Sequence, residues 1–311
     1  DGVLDLAGGV ATVNVCAPVT GAAGTSLSFA DASPFPAGRR ILLHRVVVFD
    51  TAGLAAGATA DVGVGDAGAF AIARVTTADG TTLSLDATPP GWAASDAQAC
   101  TLVELERLVV RTSASLAAPI WDGNAGGVLA VLVREEVLIE PGAFVLADGA
   151  GLRGGVLSSN GDYGNVTGFE PGQLGASAGR GEGLDANNFG RRGRGVTANG
   201  GGGGNSFNAA GGGGGNGGAG GDGSGEGAGA ARGLGGGRAV TPEVRLLFGG
   251  GGGAGHQDDG NAGPGGAGGG VVFLVVQRLA GEGTIRADGA PGGFSMILSG
   301  NEGDAGGGGG A

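Results

Sequence analysis

The chain has 311 residues, of which 79 are glycine, and its formal net charge is −12 at pH 7. This acidic excess argues against a surface that neutralises nucleic-acid phosphates, and no run of 18 apolar residues is present to span a membrane. Hydrophobic residues make up 41% of the chain and charged residues only 15%. Disordered chains have the opposite balance, so we expect a folded core.

Residues 1–118 predict a compact β-domain, a sandwich or small barrel, that docks or connects the rest of the chain. Short runs rich in Val, Ile, Leu and Thr alternate with turn residues, and Asp79-Gly80 is typical of a tight hairpin. Residues 102–110 come nearest to a helical pattern. Because Arg and Thr follow an apolar Val pair there, we predict a strand instead.

The two cysteines, Cys16 and Cys100, lie near the two ends of this predicted domain and outside any CxxC motif. One interpretation is a disulfide in an exported protein, and the other is two unrelated buried thiols. The chain begins with Asp1 and its one methionine is Met296. From this we expect that an initiator and a leader have been removed.

Residues 119–311 predict a second, glycine-rich domain that contains an internal repeat. Residues 126–155 and 269–293 both run from Gly-Gly through six apolar residues and a polar break to Ala-Asp-Gly-Ala. The repeat predicts a strand pair whose first strand is apolar on both faces and therefore buried. A weaker third trace, residues 241–253, leads one short strand into glycine. The assembly positions predicted on the apolar strands 128–133 and 271–276 are Val128, Val131, Val271 and Phe273.

Four runs of five glycines lie in this domain, at 200–204, 211–215, 249–253 and 306–310. Near them, non-glycine residues recur every third position, as in Asn216, Ala219, Asp222 and in Asn261, Pro264, Ala267. Three residues per turn is the period of the polyproline II helix, whose glycine form is called polyglycine II. The glycines predicted to carry assembly are Gly202, Gly213, Gly251 and Gly308.

A polyglycine II helix makes no internal hydrogen bonds, so its backbone groups must pair with neighbouring segments if they are buried. Bare glycine faces allow that close approach. The sequence therefore predicts an all-β chain in which β-strands pin a layered or hexagonal bundle of polyglycine II helices. A disordered glycine-rich linker is the alternative, and the missing strict Gly-X-Y period excludes collagen.

Several stretches together resemble large glycine-rich bacterial surface and extracellular proteins, some of them labelled as adventurous-gliding-motility proteins of myxobacteria. The stretches are PAGRRILLHR, FAIARVTTADGTTLSLDA, APIWDGNAGGVLAVLV, ADGAGLRGG, RLLFGGGGGAG and GGAGGGVVFLVVQRLAGEGTIRADG. The predicted bundle is similar to the polyglycine II tips of phage tail-fibre adhesins and to the glycine-rich ectodomain of anaplastic-lymphoma-type receptor kinases. The resemblance implies a rigid extracellular module for adhesion or recognition, without catalytic residues.

Motifs for chemistry are weak, and we predict no catalytic, cofactor-binding or metal-binding residues. His44 lies in an apolar strand pattern, where a histidine satisfied by its neighbours is expected. His256 with Asp258 and Asp259 is more typical of a solvated loop than of a cation site. Residues 217–225 match a calcium-binding nonapeptide only once and imperfectly, and 158–165 hold oxygen ligands that suit a plain turn as well as weak calcium binding.

We also interpret Arg191, Arg192 and Arg194 as a loop that meets acidic patches rather than nucleic acid, and 165–167 as a glycosylation sequon. The sequence thus predicts a non-enzymatic protein at the cell surface or outside the cell, a self-assembling fibre subunit or adhesin stalk whose partners are other copies of itself. The alternative is a recognition module that contacts a surface ligand through the loops 156–199, 254–262 and 294–304.

Overall fold

The computed structural model describes residues 2–46, 62–87, 97–158, 168–169, 177–185, 191–196, 198–206, 208–225, 231–241, 244–257, 261–295 and 305–311. These residues form strands and extended segments but no α-helix or 3₁₀-helix, so the predicted all-β fold class is confirmed. The sequon at 165–167, the pair Asp258 and Asp259, and nearly all of 158–165 lie outside the described residues.

The strands, in chain order, are β1 (Val3–Leu6), β2 (Gly9–Ala11), β3 (Cys16–Pro18), β4 (Gly21–Ala23), β5 (Ser26–Ser28), β6 (Arg40–Arg45), β7 (Val62–Gly63), β8 (Phe70–Asp79), β9 (Thr82–Leu85), β10 (Ala97–Thr101), β11 (Val103–Val110), β12 (Ala114–Ala117), β13 (Val128–Ile139), β14 (Phe144–Leu146), β15 (Ala239–Val240), β16 (Val271–Gly281) and β17 (Thr284–Arg286).

The chain separates into two compact units, and both are discontinuous in sequence. The first consists of Asp1–Val46, Gly68–Ala150 and Val271–Ala287, and the second of Val47–Ala67, Gly151–Gly270 and Asp288–Ala311. The single boundary predicted between residues 118 and 119 does not divide them. The reason is that β11, before that point, pairs directly with β13, after it.

Half of the first unit is a β-solenoid of four rungs, each made of two consecutive strands. The rungs are β1–β2, β11–β12, β13–β14 and β16–β17. They stack into two sheets of order β1-β11-β13-β16 and β2-β12-β14-β17, in which all neighbours are parallel. The two copies of the sequence repeat are therefore the third and fourth rungs of one stack.

The position of each copy in the stack decides how deeply its apolar strand is buried. β13 lies between β11 and β16, and residues 128–133 are buried almost throughout. β16 is the last strand of its sheet, so residues 271–276 are only partly covered. The prediction of a strand buried on both faces holds for the first copy but not for the second.

The solenoid core consists of columns of apolar side chains that run from rung to rung. Leu108 and Val137 are opposite each other in one sheet, and Leu116 and Val145 in the other. All four are buried in the same hydrophobic cluster. Such columns stabilise parallel stacks because each rung covers the apolar face of the next.

The other half of the first unit is a seven-stranded antiparallel sheet of order β3-β10-β6-β8-β9-β5-β4 with its own core. This is the compact β-module predicted for the start of the chain, although β1, β2, β11 and β12 belong to the solenoid instead. The predicted hairpin at Asp79-Gly80 is confirmed, since it joins β8 to β9. So is the disulfide: Cys16 on β3 is opposite Cys100 on β10, and their sulfurs are bonded.

Two buried amide side chains connect this antiparallel module to the third rung of the solenoid. The Asn14 amide donates to the carbonyl of Ala130 and accepts from its N–H, at 2.8 and 3.1 Å. The Gln98 amide exchanges the same pair of bonds with Gly126, at 2.9 and 2.8 Å. Each amide acts like one more residue of a β-ladder, so no backbone group is left unpaired at these two points.

The first rung carries an exposed ion pair that makes its stability depend on pH. Asp5 accepts two hydrogen bonds from the Arg111 guanidinium, at 2.8 and 2.7 Å. These bonds, with the attraction of the same guanidinium, hold the pKa of Asp5 below its ordinary value of 3.8. A lowered pKa stabilises the folded chain above the ordinary value, and this stabilisation is lost as the pH falls below it.

We therefore expect Asp5→Asn to lower the melting temperature of the first unit slightly at pH 6, because the charged pair is lost. The difference from the wild type should shrink as the pH is lowered past 3.8, and it should also shrink in high salt, which screens an exposed pair. Melting curves at pH 6 and pH 3 check this, and a difference that grows on acidification would contradict it.

Outside the bundle, the described part of the second unit includes a small two-stranded sheet, in which β15 pairs in parallel with β7. The weak third trace at 241–253 forms no strand in its described part, residues 241 and 244–253. Instead, Phe248 is buried and leads directly into the glycine run 249–253.

Candidate functional site: the glycine bundle

Eleven extended segments of the second unit lie side by side and bond to one another through their backbones. They are p1 (151–156), p2 (177–184), p3 (191–195), p4 (198–205), p5 (209–215), p6 (218–224), p7 (231–237), p8 (249–256), p9 (262–269), p10 (288–293) and p11 (305–310). Four of them, p4, p5, p8 and p11, contain the five-glycine runs.

The backbone donors of p8 follow a period of three. The N–H groups of residues 249, 252 and 255 donate to p9, those of 250, 253 and 256 to p5, and those of 251 and 254 to p2. These eight bonds are 2.8–2.9 Å long. A segment that turns by one third of a circle per residue, and bonds only to its neighbours, is a polyglycine II helix.

The acceptors of p8 complete a hexagonal shell. Its carbonyls accept from p1 at 249 and 252, from p11 at 250 and 253, and from p4 at 251 and 254. The six neighbours also bond to each other in the closed order p1, p2, p4, p5, p11, p9. The central segment is thus enclosed on every side, and of the two predicted arrangements, layered and hexagonal, the bundle has the hexagonal one.

Glycine is required in p8 because neighbouring backbones occupy the space of a side chain. A Cβ built on Gly251 would lie 1.9 Å from the carbonyl oxygen of Arg153, and one on Gly253 would lie 2.0 Å from that of Gly202. Real Cβ atoms do not approach another atom within 3.0 Å. Any substitution there must push two hydrogen-bonded segments apart.

The four glycines predicted to carry assembly differ sharply in this respect. A Cβ on Gly202 would lie 2.0 Å from the Arg194 carbonyl oxygen, as tight as at Gly251. A Cβ on Gly213 would come no closer than 3.4 Å to any atom, and one on Gly308 no closer than 3.7 Å. The structure brings all four into one bundle, but only Gly202 and Gly251 lie at positions where a methyl group cannot fit.

In p9, the proline lies on a face of the segment that does not approach the centre of the bundle. In p9, Pro264 is exposed, whereas the N–H groups of Gly265 and Gly266 donate inward to p1 and p11. Proline has no N–H to donate, so it fits a position whose N–H would have no neighbouring carbonyl to bond. The ridge predicted from the spacing of Asn261, Pro264 and Ala267 therefore lies on the outer side of p9.

Asn199, which precedes the glycine run of p4, ties several segments together and was not predicted. Its buried side chain accepts from the N–H of Leu184 at 3.0 Å and donates to the carbonyls of Gly215 and Phe248, both at 3.2 Å. Its amide thus replaces bonds that a further backbone segment would supply. An amide residue at the boundary of a glycine run was the available sequence signal.

Replacing Asn199 by alanine should lower the free energy of unfolding of the second unit by about 2–3 kcal/mol, because buried backbone groups lose their partners. Asn216→Ala is the matched control: the Asn216 side chain makes no hydrogen bond among the described residues and is half-buried. Chemical denaturation, monitored by hydrogen exchange of the bundle amides, measures the stability of both variants. Equal stabilities would contradict the bracing role of Asn199.

Both histidines are buried inside the fold, and the aspartate of the exposed calcium-like motif is bonded to neighbouring groups of the chain. His44 is fully buried, with its Nδ1 3.2 Å from the Gln98 amide, as expected for a strand histidine satisfied by neighbours. His256 is also fully buried and its N–H donates to Ala209, so the prediction of a solvated loop there is wrong: it is the last residue of the central segment. Asp222, in the nonapeptide match, accepts from the Gly235 N–H and from Arg232.

In the part of the chain that is described, no three His, Cys, Asp or Glu side chains are grouped as metal ligands. The arginine stretch at 191–194 is likewise not a free loop but p3. The Arg194 guanidinium lies 4.8 Å from the centroid of the Phe169 ring, and burial lowers its pKa. The guanidinium thus packs against an aromatic ring, and the Asp222 carboxylate also acts on it electrostatically.

The predicted assembly positions on the apolar strands lie in the solenoid. Val128 and Val131 are buried inside β13, and Val128 is paired with Val271 of β16. Phe273, also on β16, is half-buried with its ring centroid 5.6 Å from that of Phe70. β13 therefore lies in the core, and of these two strands only β16 has an open side.

Fold and site define this chain as an all-β protein that combines a four-rung β-solenoid, an antiparallel module with a disulfide, and a hexagonal polyglycine II bundle. A comparison with family models, curated proteins and solved structures finds no match to it. The resemblance to glycine-rich surface proteins therefore stays a prediction. Among the described residues, no helix is both long and apolar enough to cross a membrane.

Proposed function

We propose that the chain is a non-enzymatic extracellular structural protein, a subunit of a self-assembling fibre or the stalk of an adhesin at the cell surface. The observation that carries this proposal is the closed hexagonal shell around p8. The segment p8 bonds to six neighbours, and its bonds to each neighbour recur every third residue. It cannot bend or rotate without breaking several hydrogen bonds, so the bundle is a stiff body. Stiffness is what a fibre or stalk requires.

The disulfide between Cys16 and Cys100 supports a location outside the reducing cytosol. The bundle also supports resistance to proteolysis, because its backbone is paired with other segments and is not available in an extended, unpaired form. No step of this function needs a cofactor, a metal ion or nucleic acid.

Electron microscopy of the purified chain, together with light scattering over a range of protein concentrations, tests the proposal. Copies with a net charge of −12 repel each other, so assembly should increase as salt screens that charge. Fibres or concentration-dependent oligomers would support the fibre subunit. Monomers at all concentrations and salt levels would contradict it and favour the recognition module.

A further inference from the structure

Both ends of the β-solenoid are open. Within the described residues, β1 pairs only with β11 and β2 only with β12, while β16 pairs only with β13 and β17 only with β14. Each end of the stack therefore has unpaired strand edges, which are templates for another strand. Repeat proteins ordinarily cover such ends with a polar capping repeat, because an open end exposes the core.

The fourth rung shows this exposure in its apolar columns. Leu279 continues the column of Leu108 and Val137, and Ile285 continues that of Leu116 and Val145. Leu279 is 55% exposed and Ile285 is 40% exposed, although the inner members of both columns are buried. The hydrophobic core thus ends at solvent on this side.

The side-chain columns of the stack repeat from the second rung to the fourth, so the fourth rung offers a further rung the same register. β1 lies on Arg107 and Leu108 of the second rung, with Val3 opposite the arginine and Leu4 opposite the leucine. The fourth rung has the same pair, Arg278 and Leu279, at the same two columns. Both arginines are also bonded to the same carboxylate, that of Glu136.

The corner between the two sheets also permits a further rung. Between the two columns that flank the corner lie three residues in the first rung, 7–9, and four in the second, 111–114. The fourth rung has two, 282–283. A first rung placed on a fourth rung would differ from it by one residue, the same difference that the first and second rungs already accommodate.

We propose that β1 and β2 of a second copy stack in parallel on β16 and β17 and continue both sheets from one molecule into the next. This inference rests on the proposed function and names the surface through which it operates. In the stack, Val3 of one copy is opposite Arg278 of the other, Leu4 opposite Leu279, and Ala11 opposite Ile285. The contact joins the two opposite ends of one stack and continues it along its own axis, so it generates a linear polymer rather than a closed ring.

One difference between the second and fourth rungs gives the proposal a directional test. Asp5 is bonded to Arg111 at the corner of its own rung stack, whereas the equivalent corner residue of the fourth rung is Glu282. Glu282→Arg would place a cation, in place of an anion, next to Asp5 of the second copy. We expect it to strengthen association up to about fivefold, the range of an exposed ion pair. Glu282→Gln should give a smaller gain, because it removes the repulsion of Asp5 without adding attraction.

Leu279→Glu should have the opposite effect, because it places an unpaired charge in the apolar column that the second copy must cover. We expect it to weaken association at least about a hundredfold. Val244→Glu, at a position that is 83% exposed in the second unit, is the control for an added surface charge. Leu279 is at the open end, so the fold itself should tolerate the change, which circular dichroism checks.

Crosslinking tests the geometry directly. The two natural cysteines are already joined, so a cysteine introduced at Val3 in one sample and at Arg278 in another is the one free thiol of each. A short bismaleimide should link the mixed samples at 150 mM salt. Ile120→Cys, at an apolar position that is 70% exposed, replaces the second partner as control and should give no product.

The outcomes separate this inference from the proposed function. Wild-type fibres without the Val3 to Arg278 product, unaffected by Leu279→Glu, would overturn the inference and leave the fibre function standing. The product without wild-type fibres would support the interface and contradict the fibre. Neither fibres nor product would overturn both, and a Val3→Cys sample that links to itself would replace the head-to-tail stack by a symmetric contact.

Discussion

Gly251→Ala is expected to destabilise the second unit by about 4 kcal/mol or more, the range reached only by severe packing defects. The added methyl group would lie 1.9 Å from the carbonyl oxygen of Arg153. That carbonyl is itself bonded to the N–H of Glu182, so relief requires a shift of p1, p2 and p8 together. Hydrogen exchange of the bundle amides, measured against denaturant, reports the loss.

Gly213→Ala is the matched control, and its expected effect has the opposite sign. It lies in another five-glycine run, but its new methyl group would meet no atom closer than 3.4 Å. Because alanine also restricts the unfolded chain, the substitution should be neutral or stabilise by about 0.4–1 kcal/mol. If both variants behaved alike, the close approach of backbones in the bundle would be refuted.

Removing the disulfide should be the second largest effect and should be confined to the first unit. Cys16 and Cys100 are 84 residues apart in sequence. Their bond therefore removes much of the conformational freedom of the unfolded chain, a contribution of about 4 kcal/mol for a loop of this length. Cys16→Ser with Cys100→Ser should lower the melting temperature of the antiparallel module accordingly.

The p1–p11 bundle serves as the internal control for this experiment, because it holds neither cysteine. Its amides should keep their protection when the disulfide is removed. Equal loss of protection in both units would show that the bond does more than stabilise its own module. Mass spectrometry of the native protein gives a direct check, since two free thiols would show that the disulfide does not form.

The sequence indicated the local structures correctly where a repeat or a turn motif was strong. The hairpin at Asp79-Gly80 and the strand over residues 103–110 required only nearby residues to be recognised. The threefold spacing of Asn261, Pro264 and Ala267 indicated polyglycine II, because residues three apart lie on one face of a helix with three residues per turn. These features depend on backbone preferences that each short segment expresses alone.

The pairing of distant segments could not be predicted from the sequence in the same way. A solenoid whose first two rungs are separated by an antiparallel module, and whose last two are separated by the bundle, looks in sequence like two consecutive domains. For the same reason, His256 seemed to lie in a solvated loop. Nothing in its sequence neighbours shows that p8, among the segments that the structure describes, is the one surrounded by six others.

What the sequence by itself determined is the type of structure: strands from apolar β-branched runs, and polyglycine II from glycine runs interrupted by other residues at a period of three. It left the two cysteines open between a disulfide and two separate thiols. Only the tertiary structure decided which glycines tolerate no side chain, which of two similar strands is buried, and which rungs form the ends of the stack. Backbone preference is a property of a residue and its close neighbours. Close packing and open edges depend on which distant segments lie beside each other, and the glycine segments are too alike in sequence to specify their own neighbours.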